Sequence, residues 1–154
     1  MTDVVKVADI LAVKGSRVTT VQASDTIATL SQRLREKRIG AAVVSSDGQT
    51  IEGMISERDV AYAVVAHKDK LHALPVSALM TKTVISCTPR DTAATVGSTM
   101  LARNIRHLPV EEGGRLVGMI SIRDVLNLRV DELQRQASQL RAFASHTERD
   151  PQDR

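Results

Sequence analysis

One octet occurs twice in this chain. Gly53-Met54-Ile55-Ser56-Glu57-Arg58-Asp59-Val60 returns as Gly118-Met119-Ile120-Ser121-Ile122-Arg123-Asp124-Val125, seven of eight positions identical at an offset of 65. Upstream, Asp25-Thr26 matches Asp91-Thr92, Ala28-Thr29 matches Ala94-Thr95 and Ile39 matches Ile105, at an offset of 66. The extra residue falls in the turn around Ser46-Asp47-Gly48, against Glu112-Gly113-Gly114 in the second copy. Self-similarity at a fixed period means one structural unit built twice.

Each copy reads in the same order. A short amphipathic piece opens it, Val7 to Leu11 and Val76 to Met80. An alternating strand follows, 17–21 and 83–87. A helix comes next, with Ile27, Leu30 and Leu34, then Ala93, Val96 and Met100, at helical spacing. In the second copy Thr88-Pro89-Arg90-Asp91 has the form of a capping box with Pro at the first helical position. Two strands follow, 41–45 with 51–55 and 107–111 with 116–120, joined by turns carrying Asp47-Gly48 and Gly113-Gly114. A closing helix starts near Glu57 or Ile122. The fold class is α/β (α+β): two β-α-β-β-α repeats packed sheet against sheet about a pseudo-two-fold. A lone unit of about 60 residues buries too little surface to be secure.

Val130, Leu133, Ala137, Leu140 and Ala144 form a heptad-like stripe on a C-terminal helix. It either packs on its own module or meets a second copy. Residues 147–154 are polar, and the expectation there is a frayed end. The domain reading is 7–67, 76–128, and a helical extension over 129–154.

Composition narrows the function. Tyr62 and Phe143 are the only aromatic residues among 154, which argues against a base-stacking nucleic-acid platform. The formal charge is +3 and the pI about 9.4, which permits anionic partners without demanding them. A single cysteine, Cys87, excludes an internal disulfide and fits a reducing compartment. No apolar run approaches the roughly 20 residues of a membrane span. The start, Met-Thr-Asp-Val-Val-Lys, lacks signal-peptide design, so a cytoplasmic protein is expected.

Ser-x-Arg-Asp at a strand-to-helix junction has two readings. Ser56 and Ser121 as N-caps, with Asp59 and Asp124 reaching back, make a capping box. Capping does not need the arginine, yet Arg58 and Arg123 are repeated too. Arginine is a planar fork for phosphate, aspartate accepts two hydrogen bonds from a ribose diol, and a helix start favours phosphate. The set therefore also suits a nucleoside phosphate. Asp59 and Asp124 as an acid–base pair across the pseudo-two-fold is a weaker idea, and no hydrolase, P-loop or zincin motif is present. No enzyme activity is expected.

Both copies resemble cystathionine-β-synthase (CBS) domains, and the pair resembles a stand-alone tandem module, often called a Bateman module. The likeness spans residues 7 to 128. It rests on the octet, on Met80-Thr81-Lys82-Thr83-Val84 and on Ile105-Arg106-His107-Leu108-Pro109-Val110. It implies a non-catalytic sensor that binds AMP, ADP, ATP, NAD(H) or a related adenosine ligand, requires no cofactor and dimerises. By position it implies that Asp59 and Asp124 hold ribose, and that Ser56, Arg58, Ser121 and Arg123 face ribose and phosphate. It pairs Lys82, Thr83 and Val84 with Asp59, and Ser16, Arg17 and Val18 with Asp124. Arg106 and His107 resemble phosphate ligands, where the first copy has Gly40 and Ala41. The expectation is two unequal clefts, with the Asp124 cleft the better anion site.

Other residues have plainer readings. His67 and His72 lack companions at metal-ligand spacing, and Cys87 belongs to the core. The run Arg33, Arg35, Lys37, Arg38 reads first as a solvated helix face, second as a nucleic-acid contact or phosphate rim. The rival functions are a dimeric interaction scaffold with empty clefts that regulates a partner protein, and, on this basic run and the pI, nucleic-acid binding.

Overall fold

The computed structural model describes residues 4–147; the end expected to fray lies, from residue 148 on, outside them. Helix α1 (Val7–Lys14) leads to strand β1 (Thr20–Val21), helix α2 (Ile27–Lys37), strands β2 (Ala41–Val44) and β3 (Gly53–Ser56) and helix α3 (Glu57–His67). Two 3-10 turns, Lys68–Ala73 and Val76–Ala78, link the copies. The second copy continues with α4 (Ala93–Arg103), β4 (His107–Glu112), β5 (Arg115–Ser121) and α5 (Ile122–Thr147). Two repeats of one α/β unit are present, as the period predicts.

The helices start and stop at matched residues. Thr26 and Thr92 each accept the N–H three residues on at 3.1 Å, capping α2 and α4. Arg38 and Asn104 end those helices in the left-handed region, with φ of 53° and 52°. The capping box expected over Thr88–Asp91 is a separate turn: Asp91 accepts the Thr88 N–H at 2.8 Å, and the helix begins after Thr92. Thr92 holds the cap because its hydroxyl reaches the Thr95 N–H, as that of Thr26 reaches Thr29, whereas Thr88 lies one turn too early.

The opening strands are shorter than predicted, and the second is missing. β1 pairs in parallel with β2 through Val43 N–H to Thr19 O at 3.2 Å and Ser45 N–H to Val21 O at 2.8 Å. In the second copy Glu111 N–H reaches Cys87 O at 2.8 Å and Cys87 N–H reaches Pro109 O at 3.0 Å, leaving a single bridge at Cys87. The counterpart of Val43 is Pro109. Proline has no N–H to give Ile85, the counterpart of Thr19, so the ladder cannot extend.

Three apolar clusters make the core. One joins Ile27, Leu30, Val44 and Ile55 of the first copy to Val76, which opens the second. Another joins Val96, Met100, Leu108 and Ile120 of the second copy to Val7 and Ile10, which open the first. The opening segments are therefore exchanged. Backbone bonds hold each in place: Val7 N–H to Asp91 O at 2.8 Å, and Val76 N–H to Asp25 O at 2.7 Å. The third cluster, Ala41, Val43 and Met119 with Val18, Met54 and Leu116, is the seam between the two sheets.

This exchange explains the glycine that starts each octet. A Cβ on Gly53 would lie 2.9 Å from the Thr81 carbonyl, and one on Gly118 would lie 2.7 Å from a Leu11 methyl. Each glycine admits the segment borrowed from the other copy.

The C-terminal stripe does not pack on its module. Val125 and Leu128 lie against the second core, with Val125 against Gly97 of α4. Beyond them Val130, Leu133 and Leu140 are at least half exposed, because α5 outruns the layer beneath it.

Candidate clefts between the repeats

Both Ser-x-Arg-Asp runs form helix caps. Asp59 N–H donates to Ser56 Oγ at 3.3 Å, and Ser56 N–H donates to Asp59 Oδ2 at 2.8 Å. Ser121 and Asp124 repeat this at 3.2 and 2.8 Å. The capping box is real in both copies and leaves each carboxylate half-buried. Among the described residues every hydrogen bond to these two carboxylates ends on Oδ2, so Oδ1 keeps its lone pairs. Capping and ligand binding are thus compatible uses of one side chain.

The Asp59 cleft has a volume of about 270 Å³. Ser56, Arg58 and Asp59 form one wall, and Thr83, Val84 and Ile85 of the second copy form the other. Ile105 adds an apolar surface. Arg58 is anchored across the seam, donating to the Asn104 carbonyl at 3.1 Å.

The cleft beside Asp124, called the Asp124 cleft, is larger, about 460 Å³, and is lined by Lys14, which holds Asp124, rather than by Asp124 itself. Arg17 and Val18 line it with Ser121 and Arg123. Two cations that the motif does not supply join them, Lys14 and Arg38. Lys14 Nζ donates to Asp124 Oδ2 at 2.7 Å and to the Met119 carbonyl at 2.8 Å. Burial pushes the Asp124 carboxyl up, but the Lys14 and Ser121 hydrogen bonds and the Lys14 charge outweigh it, leaving the group below the ordinary carboxylate range.

Arg106 and His107 do not belong to one cleft. Both line both clefts, as do Gly40 and Ala41, because these residues start β2 and β4 on either side of the pseudo-two-fold. Gly40 leaves room for the imidazole: a Cβ there would sit 3.2 Å from His107 Cε1 and 3.2 Å from Glu57 Oε1. Burial holds the His107 pKa below its ordinary value, with Lys14 and Arg106 adding to this and Glu57 and Asp124 opposing it. Arg123 is matched by Arg58 in the other cleft, so the difference between the clefts comes from Lys14, Arg17 and Arg38, and not from Arg106 and His107.

Ser16 and Lys82 are exposed and line neither cleft; the other twelve residues singled out in the sequence line a cleft or, for Asp124, are held by a residue that does. Lys14 escaped the sequence reading because α1 packs on the opposite core, which no local pattern reports. Arg38 was visible as part of a basic run, one reading of which was a phosphate rim.

The family model of the CBS domain matches residues 4–66 and 76–131. The chain belongs to the CBS-domain family. A CBS-domain protein from Agrobacterium tumefaciens, solved by crystallography, is 38% identical, with a TM-score of 0.78 over 80% of this chain and 98% of that one. CBSCBSPB1 of Arabidopsis thaliana, a CBS domain-containing protein, is 26% identical over 86% of this chain, which spans only 24% of that relative's length. The CBS domain pair of protein MJ0100, solved in complex with 5'-methylthioadenosine and S-adenosylmethionine, has a TM-score of 0.73 at 23% identity over 84% of this chain and 98% of that one. No helix among the described residues is long and apolar enough to cross a membrane.

Proposed function

We propose that this CBS pair is a non-catalytic regulatory module that binds adenosine-class ligands, AMP, ADP, ATP or NAD(H), in the clefts between its repeats and so reports energy or redox state to a partner protein. The observation that carries this reading is the Asp59 cleft. A capped carboxylate with an open oxygen, an arginine and a serine face two aliphatic residues across a gap of about 270 Å³. Carboxylate suits a ribose diol, guanidinium suits phosphate, and the aliphatic wall suits a purine face. The volume is near the lower end of small-molecule sites, which run about 300–1,000 Å³. The adenosine ligands of the MJ0100 pair support the same chemistry here.

Titration calorimetry with AMP, ATP and NADH tests it. At least one ligand is expected to bind below millimolar, and Asp59→Ala and Asp124→Ala together to abolish the heat. Ligand at 100 times its Kd adds about 2.7 kcal/mol of stability, so a thermal shift gives an independent readout. No binding by any of the three sinks the proposal.

Assembly is a second element of the reading. Ala61 and Val65 of α3 are exposed, and their counterparts 65 residues on, Leu126 and Val130 of α5, are exposed as well. Apolar residues repeated on matched helices and left in solvent suit a symmetric homodimer. The α5 stripe extends that surface and favours a scaffold role alongside ligand binding.

A further inference from the structure

One contact separates the two clefts. In the first repeat the Met54 carbonyl accepts the backbone N–H of Thr81 at 2.8 Å. The counterpart of Met54 is Met119, and its carbonyl is taken by a side chain, Lys14 Nζ, at 2.8 Å. That same ammonium holds Asp124 at 2.7 Å. Among the described residues no cation is paired with Asp59, whose partners are Ser56 N–H and Oγ. The surroundings differ as well. Arg17 and Arg38 line the Asp124 cleft and not the Asp59 cleft, whereas Arg106 and Glu57 line both and Arg123 is matched by Arg58.

We infer that Lys14 is the specificity-determining residue of the Asp124 cleft, selecting adenosine ligands that carry phosphate over those that do not. The inference rests on the adenosine reading of the clefts. Oδ2 of Asp124 already accepts from Ser121 N–H and from the Lys14 ammonium, so a ribose diol that spans Oδ1 and Oδ2 competes with Lys14 for Oδ2 and displaces it. The freed cation then needs a new anion among four arginines, and a phosphate of the same ligand supplies one. Neutral adenosine breaks the Lys14–Asp124 pair and returns nothing. In the Asp59 cleft the same contact meets only the Ser56 N–H and hydroxyl, and among the described residues no ion pair is broken, so neutral adenosine compounds enter it without the ion-pair penalty. One duplicated motif thereby serves two ligand classes.

Calorimetry on the Asp59→Ala protein, which leaves the Asp124 cleft to report, tests this with adenosine and magnesium-free ATP. ATP is expected to be preferred, and Lys14→Met in that background to shrink the preference by about tenfold, the scale of one charge-assisted hydrogen bond. Adenosine affinity is expected to hold or rise in the same variant. Lys14→Arg keeps the charge and should keep the preference, which separates charge loss from misfolding. An ATP-to-adenosine ratio unchanged by Lys14→Met overturns the role of Lys14 and leaves the proposed function standing. Absence of binding in the wild-type protein overturns both.

Discussion

Asp59 and Asp124 occupy the same motif and make the same capping bonds, yet meet different charges. Removing Asp59 takes the acceptor from Ser56 N–H, and Asp59→Ala is expected to cost about 1 kcal/mol by thermal denaturation, the scale of a lost helix cap. His107 offers a pH test. Its folded pKa lies below the ordinary 6.5, so between the two values the unfolded chain binds more protons, and stability falls as pH drops through that window. His107→Gln should flatten the slope in melts taken between about pH 7 and about pH 5.5. A bound phosphate favours the imidazolium, so nucleotide affinity should rise over the same acidification. Cys87 is a poor redox sensor: burial, then the nearby charges of Asp91 and Glu111, push its thiol up to about 12, far from thiolate chemistry.

At the scale of elements, the hydrophobic period placed the helices, and the paired turns placed the hairpins. Gly113 and Gly114 both have positive φ, 58° and 79°, as a two-residue hairpin requires. The missing strand was not legible. Pro109 stands in plain view, but its effect depends on which edge of β4 its nitrogen faces, and only register decides that. Pro109→Val supplies the N–H, and hydrogen exchange should then show protection at residue 109 that the wild type cannot have. The stability change should stay within about 1 kcal/mol, since one added hydrogen bond offsets the lost rigidity of proline. The octet glycines differ in a measurable way. Gly53→Ala meets a backbone carbonyl, whereas Gly118→Ala meets leucine methyls that can rotate. Chemical denaturation should find the first more costly, by about 2 kcal/mol or more against about 1.

For the molecule as a whole, the duplication was readable from the octet, and with it the packing of two sheets, while the two clefts were implied by the family resemblance. The exchange of opening segments was not. Sequence adjacency says that Val7–Lys14 leads the first repeat; only packing puts Val7 and Ile10 in the second core. Lys14 was invisible for the same reason. The proposed homodimer is tested at this scale. Val65→Glu with Val130→Glu places charge on both matched helices, and sedimentation velocity should show a shift to monomer while the clefts still bind nucleotide. Equal mass in the variant and the wild type would remove the helix faces from the assembly.

The exchanged segments also bear on how such a chain can arise. A single repeat has a slot with nothing of its own to fill it, and a helix with nowhere of its own to lie. Two separate copies could satisfy each other only by trading those helices, as an intertwined pair of chains. Joining the copies end to end turns that trade into a contact within one molecule, at a local concentration no dilution can lower. Once joined, the copies are free to diverge on either side of the seam, and the lysine at the end of one borrowed helix lines the cleft that borrows it and not the other.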